Sequence, residues 1–195
     1  MEYSFEEIRN LTEKVRKYAM VSVSQSRYEH SERTAEMCVK LCSLFGLDEN
    51  LGYLAGISHD MCKKMDEKSL LEYAKQDGEP ISDLELEKPA LLHGRAAAIM
   101  LEKDFDFHDK RIVEAVAVHT FGKVGMCDYS KVLFVADKIE PGREHITEEY
   151  LEEVYALPLN RIVEKVLSEN ISYLERKGKK VAPESERLLA WIKSV

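Results

Sequence analysis

The sequence predicts an all-α fold, a single helical bundle over residues 1–195, and two observations carry that expectation. Apolar residues recur at helical spacing in one segment after another, and each segment is bounded by a capping side chain, a glycine or a proline. No stretch shows the alternation of a half-buried strand, and no internal repeat or low-complexity tract interrupts the succession.

Taken in order, Ser4 with Glu7 forms a capping box, and Phe5, Ile8, Leu11 and Val15 mark a helix to about Met20. Ser22 to Ser26 read as a linker. Met37, Leu41 and Leu44 then mark a helix that stops near Gly46, and Asp48 caps the next, which ends near Asp60. Further helices are expected at Asp66 to Ala74, Lys88 to Glu102, Asp109 to His119 and Tyr129 to Ile139. After Pro141-Gly142, helices are expected from about Thr147, from Leu159 to Arg176 before Gly178, and from Glu184 to Trp191. The domain core is placed at about 26–140, with a helical C-terminal extension at about 147–195.

Composition narrows the classes. No apolar run approaches the roughly 18 residues that span a bilayer, and the first residues lack a basic-then-apolar leader, so a soluble, cytoplasmic protein with no membrane contact is expected. Cys38, Cys42, Cys62 and Cys127 form no CxxC pair and are read as reduced thiols. A formal charge of −8 argues against binding duplex nucleic acid. An anionic ligand would need metal ions for much of its counter-charge.

Of six histidines, four lie on apolar helical faces, where an unpartnered imidazole is costly. His30 shares its face with Thr34, Met37 and Leu41; His93 with Ala96, Ala97 and Met100; His119 with Ile112, Ala115 and Val116. His59 follows Ala55 and Gly56, small residues that let a neighbouring backbone approach. Asp137 interrupts the run Val132 to Ala136, where a buried carboxylate needs a strong partner. Singly, each has a plainer use, such as a core histidine bonded to a carbonyl. Together, His30, His59-Asp60 and Asp137 suit a nitrogen/oxygen site for iron, manganese or a similar metal. His108-Asp109 lies in a polar stretch, with Asp109 read as a helix N-cap, and His145 is assigned to a surface loop.

In order and rough spacing, His30, His59-Asp60 and Asp137 match the signature of the HD superfamily. A closer resemblance is carried by Arg27-Tyr28-Glu29-His30-Ser31, His59-Asp60-Met61-Cys62-Lys63, Leu92-His93-Gly94, His119-Thr120-Phe121-Gly122 and Val135 to Arg143, which ends Glu140-Pro141-Gly142-Arg143. The sequence resembles the YqeK family of bacterial symmetrical bis(5'-nucleosyl)-tetraphosphatases from Arg27 to about Gly178. Phe121, Lys123 and Ala182 depart from residues common in that family, at positions that bear on pocket shape.

The resemblance implies an HD-domain bundle with the metal in its core. It assigns His30, His59, Asp60 and Asp137 to a metal, iron first and manganese or cobalt otherwise, with His93 and His119 either completing a second site or contacting phosphate. It implies hydrolysis of diadenosine tetraphosphate to two ADP by a metal-activated water, with Asp60, Lys63, His93 and His119 as catalytic residues. Arg27, Lys63, His93, His119, Thr120, Gly122 and Arg143 are expected around the phosphates, and Tyr28, Phe121 or Tyr173 against adenine. Two other readings use the same residues: an HD-type nucleotide phosphomonoesterase or other phosphohydrolase, and a non-catalytic nucleotide-binding module. Homodimerisation rests only on the general frequency of symmetric assemblies.

Overall fold

The computed structural model describes residues 3–195, and among them there is no β-strand. The first two helices are α1 (Phe5–Ser22) and α2 (Gln25–Leu44), so the linker between them shortens to Val23-Ser24. The Ser4/Glu7 capping box is formed at α1. Asp48 caps α3 (Glu49–Ser58), and Asp66 caps α4 (Glu67–Ala74), each through its carboxylate.

A five-residue helix, α5 (Asp83–Glu87), escaped the periodicity because it is too short to show one; its Ser82/Glu85 capping box was the available signal. The segment expected from Lys88 opens instead as a 3₁₀ turn at Pro89–Leu92 before α6 (His93–Lys103). Then come α7 (Lys110–Val118), capped by Asp109, α8 (Asp128–Ile139), α9 (Glu148–Tyr155), α10 (Leu159–Arg176) and α11 (Pro183–Ile192).

α2 packs on α3 and α8, α7 on α6 and α8, and α10 covers α8 while carrying α11. Apolar side chains from Ile8 of α1 to Ile192 of α11 join one buried cluster. Among the described residues, no helix is long and apolar enough to cross a membrane. All four cysteines are free, with Cys38, Cys42 and Cys62 buried.

What this packing does for the site is bring helix ends together. His59 lies at the C-cap of α3, His119 at the C-cap of α7, and Asp137 in the last turn of α8, so three carboxyl-terminal ends, each partly negative, face one point. His30 reaches it from the second turn of α2, and His93 from the start of α6.

Candidate metal centre

His30, His59, Asp60, His93 and His119 are all buried, and Asp137 is largely so. His30 Nε2 lies 3.1 Å from Asp137 Oδ1 and 3.9 Å from Asp60 Oδ2. His59 Nε2 lies 3.6 Å from Asp60 Oδ2 and 3.7 Å from Asp137 Oδ1. Two ligand atoms each about 2.1 Å from one ion stand roughly 3–4 Å apart, so these four side chains have the spacing of a ligand set. The second carboxylate oxygen faces the other way: Asp60 Oδ1 lies 3.0 Å from His93 Nε2 and 3.9 Å from His119 Nε2, and those two nitrogens are 3.1 Å apart. Two groups able to hold a cation thus share Asp60.

The ring nitrogens say what the cluster wants. Nδ1 of His59, His93 and His119 faces the carbonyl three residues earlier, Gly56 at 2.6 Å, Ala90 at 2.8 Å and Val116 at 2.7 Å, and His30 Nδ1 faces Glu140 Oε1 at 3.1 Å. Each Nδ1 is therefore the donor, which leaves each Nε2 as a lone pair aimed at the carboxylates. Lone pairs that face carboxylates at 3.0–3.9 Å repel unless a cation lies between. Nε2 of His30 and of His59 is buried with no hydrogen-bond donor, an orphaned acceptor of the kind a metal satisfies. The residues present fit a metal ion.

Electrostatics point the same way. Burial opposes ionisation of Asp60, but His59, His93 and Lys63 outweigh it and hold the carboxyl well below its usual range. Asp137 behaves likewise through Lys138, His30 and His59. Burial pushes His59 below its ordinary value, and burial with His93 and His59 pushes His119 well below, so both stay neutral and able to ligate. His30 differs: Asp137 and Glu140 outweigh its burial and raise it, so a proton there can take the place of a cation.

Cations ring the cluster. Arg27 Nη1 lies 2.9 Å from Asp60 Oδ2, and Lys63 Nζ 3.0 Å from His93 Nε2 and 3.5 Å from Asp60 Oδ1. Arg143 donates from Nη2 to Asp137 Oδ1 at 2.9 Å and from Nε to the Asp137 carbonyl at 2.7 Å. A cavity of about 230 Å³ lies over the carboxylates and is lined by Lys63, His93, His119, Thr120 and Arg143 among others. The Thr120 hydroxyl is buried and without a partner.

Gly122 does not fit the phosphate-binding expectation. Its N–H donates to Val118 O at 2.7 Å, its φ is +73°, and a Cβ there would stand 2.3 Å from Leu188, so it ends α7 and admits α11. It lines neither that cavity nor the larger one that opens beside the cluster between the start of α2, the turn after α8, α9 and α10. Of the aromatic candidates, Tyr28 is buried with its hydroxyl on Glu32, and Phe121 lines neither cavity while its carbonyl accepts from Ser185. Only Tyr173 lines the larger cavity beside the cluster. His108 is exposed against Asp106, and His145 lies on an exposed loop at the rim of that cavity.

Three residues of the site went unassigned in the sequence. Glu140 is buried behind His30, and Arg33 Nε donates to it at 2.6 Å. Lys138 sits 3.4 Å from Asp137 Oδ2, donates to His119 O, and lies 3.8 Å over the Phe134 ring. Asn170 lines both cavities. The polar interruption of the α10 apolar stripe at Asn170, one turn after Val166, was its signal.

An all-helical protein that gathers a histidine, a histidine-aspartate pair and a distant aspartate at the meeting point of its helix ends has the build of a helical metallohydrolase. Residues 27–142 match the HD domain model, and the chain belongs to the HD-domain family, whose members are metal-dependent hydrolases. It is similar to the symmetrical bis(5'-nucleosyl)-tetraphosphatase of Staphylococcus aureus, at 34% identity over 131 residues, 67% of each chain. The Bacillus subtilis protein of the same description is 26% identical over 172 residues, covering 88% of this chain and 92% of the relative. Among solved structures, a predicted HD superfamily hydrolase involved in NAD metabolism from Clostridium acetobutylicum superposes with a TM-score of 0.85 at 25% identity, covering 100% of this chain and 99% of the other.

Proposed function

We propose that this chain hydrolyses diadenosine tetraphosphate at the centre of its polyphosphate, adding one water to give two ADP. The observation that carries the reading is the Asp60 carboxylate, whose two oxygens face two histidine groups at the floor of a cavity ringed by Arg27, Lys63 and Arg143. The relatives that describe themselves by this activity extend over most of the chain.

His30, His59, Asp60 and Asp137 would hold the metal, iron first, with manganese or cobalt also suited to this donor set. Asp60, His93 and His119 would hold a second ion, or with one ion the two histidines remain against phosphate. A bound ion supplies Lewis acidity and lowers the pKa of water. The chain's own groups do the rest. Lys63, Arg143 and Thr120 meet the charge on the phosphoryl oxygens, and Arg27 holds Asp60 in place. Since a polyphosphate carries several negative charges, neutralisation and in-line positioning contribute most of the rate. The chain acts as one domain in which residues 147–195 wall the cavity over a core at about 26–140. Free thiols, three of the four buried, suit a cytoplasmic setting.

Product analysis tests the reading. Diadenosine tetraphosphate turned over with iron, manganese or cobalt should give ADP alone, and Asp60→Ala should give none. AMP with ATP, or no turnover while a nucleoside monophosphate loses its phosphate, overturns it in favour of another phosphohydrolase. Nucleotide binding with no turnover, unchanged by Asp60→Ala, means a binding module.

A further inference from the structure

Glu32 stands two residues beyond His30, about 200° round α2, and so faces away from the ligand cluster. There it ties three helices together. Its Oε1 accepts from Arg16 Nε of α1 at 2.7 Å and from the Tyr28 hydroxyl of its own helix, and its Oε2 accepts from the Tyr53 hydroxyl of α3 at 2.7 Å. Arg16 Nε also donates to the Tyr28 oxygen at 3.0 Å. Burial opposes ionisation of Glu32, but the bonds from Tyr28, Arg16 and Tyr53 outweigh it and hold the carboxyl below its usual range. Arg16 and Glu32 alone would contribute little as a partly exposed ion pair, whereas a carboxylate with donors from three helices fixes each of them.

The first turn of α2 needs fixing from outside. Ser24 at its N-cap makes no capping bond, no acidic side chain lies in that turn, and Arg27 puts a cation at the partly positive helix end, where it is disfavoured. Gln25 bonds to Glu29 within the same helix and so ties the turn to no other. Yet Arg27 is the residue of this turn that reaches the ligands, through Nη1 at 2.9 Å from Asp60 Oδ2. Tyr28, the next residue, is buried and anchored to Glu32, one turn further along the same face. Its hydroxyl carries the hold of α1 and α3 back to the turn that bears Arg27.

We propose that Arg16, Glu32, Tyr53 and the Tyr28 hydroxyl act together as positioning residues for Arg27, clamping the start of α2 so that the Arg27 guanidinium stays against Asp60 at the cavity over the carboxylates. None of the four lines that cavity, and none touches a ligand of the metal centre. The clamp rests on the part given to Arg27 in the site and not on which phosphate bond is cleaved, so inorganic pyrophosphate serves as the probe.

The experiment combines hydrogen exchange with titration calorimetry of inorganic pyrophosphate on the manganese-loaded protein, for Tyr28→Phe, Glu32→Gln, Arg27→Ala and the double variant Tyr28→Phe/Arg27→Ala. Tyr28→Phe keeps the packed ring and loses only the hydroxyl. It should speed exchange of the Tyr28 and Glu29 amides about tenfold, the effect of one bond to a charged group, and leave the α8 amides of Leu133 and Val135 at parent rates. Pyrophosphate should bind it about three- to tenfold more weakly, and Glu32→Gln should follow the same pattern. In the Arg27→Ala background the loss of the hydroxyl should cost less than about twofold, because the group being positioned is gone. Unchanged exchange at the start of α2 overturns the clamp, as does faster exchange shared equally by α8, or a loss of pyrophosphate affinity as large without Arg27 as with it. Arg27→Ala that binds pyrophosphate as the parent does leaves nothing to position and overturns it too. A protein that meets each expectation yet does not cleave diadenosine tetraphosphate keeps the clamp and removes the proposed activity.

Discussion

Glu140 Oε1 lies 3.1 Å from His30 Nδ1, and the other carboxylate oxygen accepts from Arg33 Nε and from the Gly142 N–H, each at 2.6 Å. Helix geometry explains why His30 alone needs a carboxylate. His59 and His119 sit where a helix ends, and the last carbonyls of a helix lack intrahelical donors, so Gly56 O and Val116 O are free to accept from them. His30 is inside α2, where the carbonyl three residues back serves the helix, and its orienting partner has to come from the turn after α8. That partner also lowers its own pKa: burial opposes it, but His30, Arg33 and the Gly142 N–H hold Glu140 at about 2. Glu140 thus stays ionised and fixes Nδ1 as the donor, aiming Nε2 at Asp137.

Removing that partner should loosen the metal without touching a ligand. Glu140→Ala is expected to weaken metal affinity on the order of 10–100-fold, the usual effect of losing a group that orients a ligating histidine. Glu140→Gln, which keeps an acceptor for His30 but loses the charge that pairs with Arg33, should fall between. Chelator competition on the purified proteins measures both. Affinity in Glu140→Ala equal to that of the parent would mean that His30 is oriented by packing alone.

Acid should strip the metal through His30. In the absence of a cation its pKa is raised above the ordinary 6.5, because Asp137 and Glu140 outweigh its burial, and a proton on Nε2 must leave before a metal can bind there. The sign follows: affinity is full above the raised value and falls as pH drops through it, by about tenfold per pH unit for one proton. His59 and His119, held below 6.5 by burial, are already neutral in that window and add nothing to the slope. Chelator competition across neutral to mildly acidic pH reads the slope directly. In Glu140→Ala the fall should begin at lower pH, since one of the groups that raises His30 is gone.

Lys63 should separate catalysis from metal binding. Its ammonium lies 3.0 Å from His93 Nε2 and 3.5 Å from Asp60 Oδ1, yet a third of the side chain remains open to the cavity. Loss of one positioned donor that meets developing charge costs on the order of 10²–10³ in kcat. Lys63→Ala is therefore expected to lower kcat by that order with metal content unchanged. A parallel loss of metal would make Lys63 a support for Asp60 and nothing more.

The sequence showed the residues whose position is set by their own helix. Caps at Ser4, Asp48, Asp66 and Asp109 and the glycine stops placed most helices to within a few residues, because these signals are local. The four buried histidines were legible from the apolar faces that carry them. Glu140 was not, although its motif was: it follows α8 in extended backbone, outside any periodic pattern, and its partner is 110 residues away. Asn170 had a local signal in the polar break of the α10 stripe and Tyr173 was one of three aromatic candidates, but that these two line the cavity while Tyr28 and Phe121 do not follows only from α10 lying across α8, which no local signal states. Gly122 shows the opposite error, since a glycine at a helix end beside a histidine reads equally as a phosphate contact or as a cap, and the packing of Leu188 decides it.

Gly56 offers a test of how tightly the metal centre depends on helix packing. A Cβ at that position would stand 2.4 Å from Ala35 Cα and 2.7 Å from Ala35 N, both backbone atoms of α2 that no side-chain rotation can move away. Its carbonyl is also the acceptor that fixes His59 Nδ1. Gly56→Ala must push α3 from α2, which separates His59 from His30 as it relieves the clash. Overpacking of this kind costs roughly 1–3 kcal/mol, more than the small gain in helix propensity from glycine to alanine returns. The expected outcome is a lower urea midpoint together with weakened metal affinity, with metal restoring part of the lost stability because it binds the folded form. A destabilised protein that still binds metal as tightly as the parent would show that the cluster adjusts independently of the α2–α3 contact, and the rigid-cradle account of His59 would have to be given up.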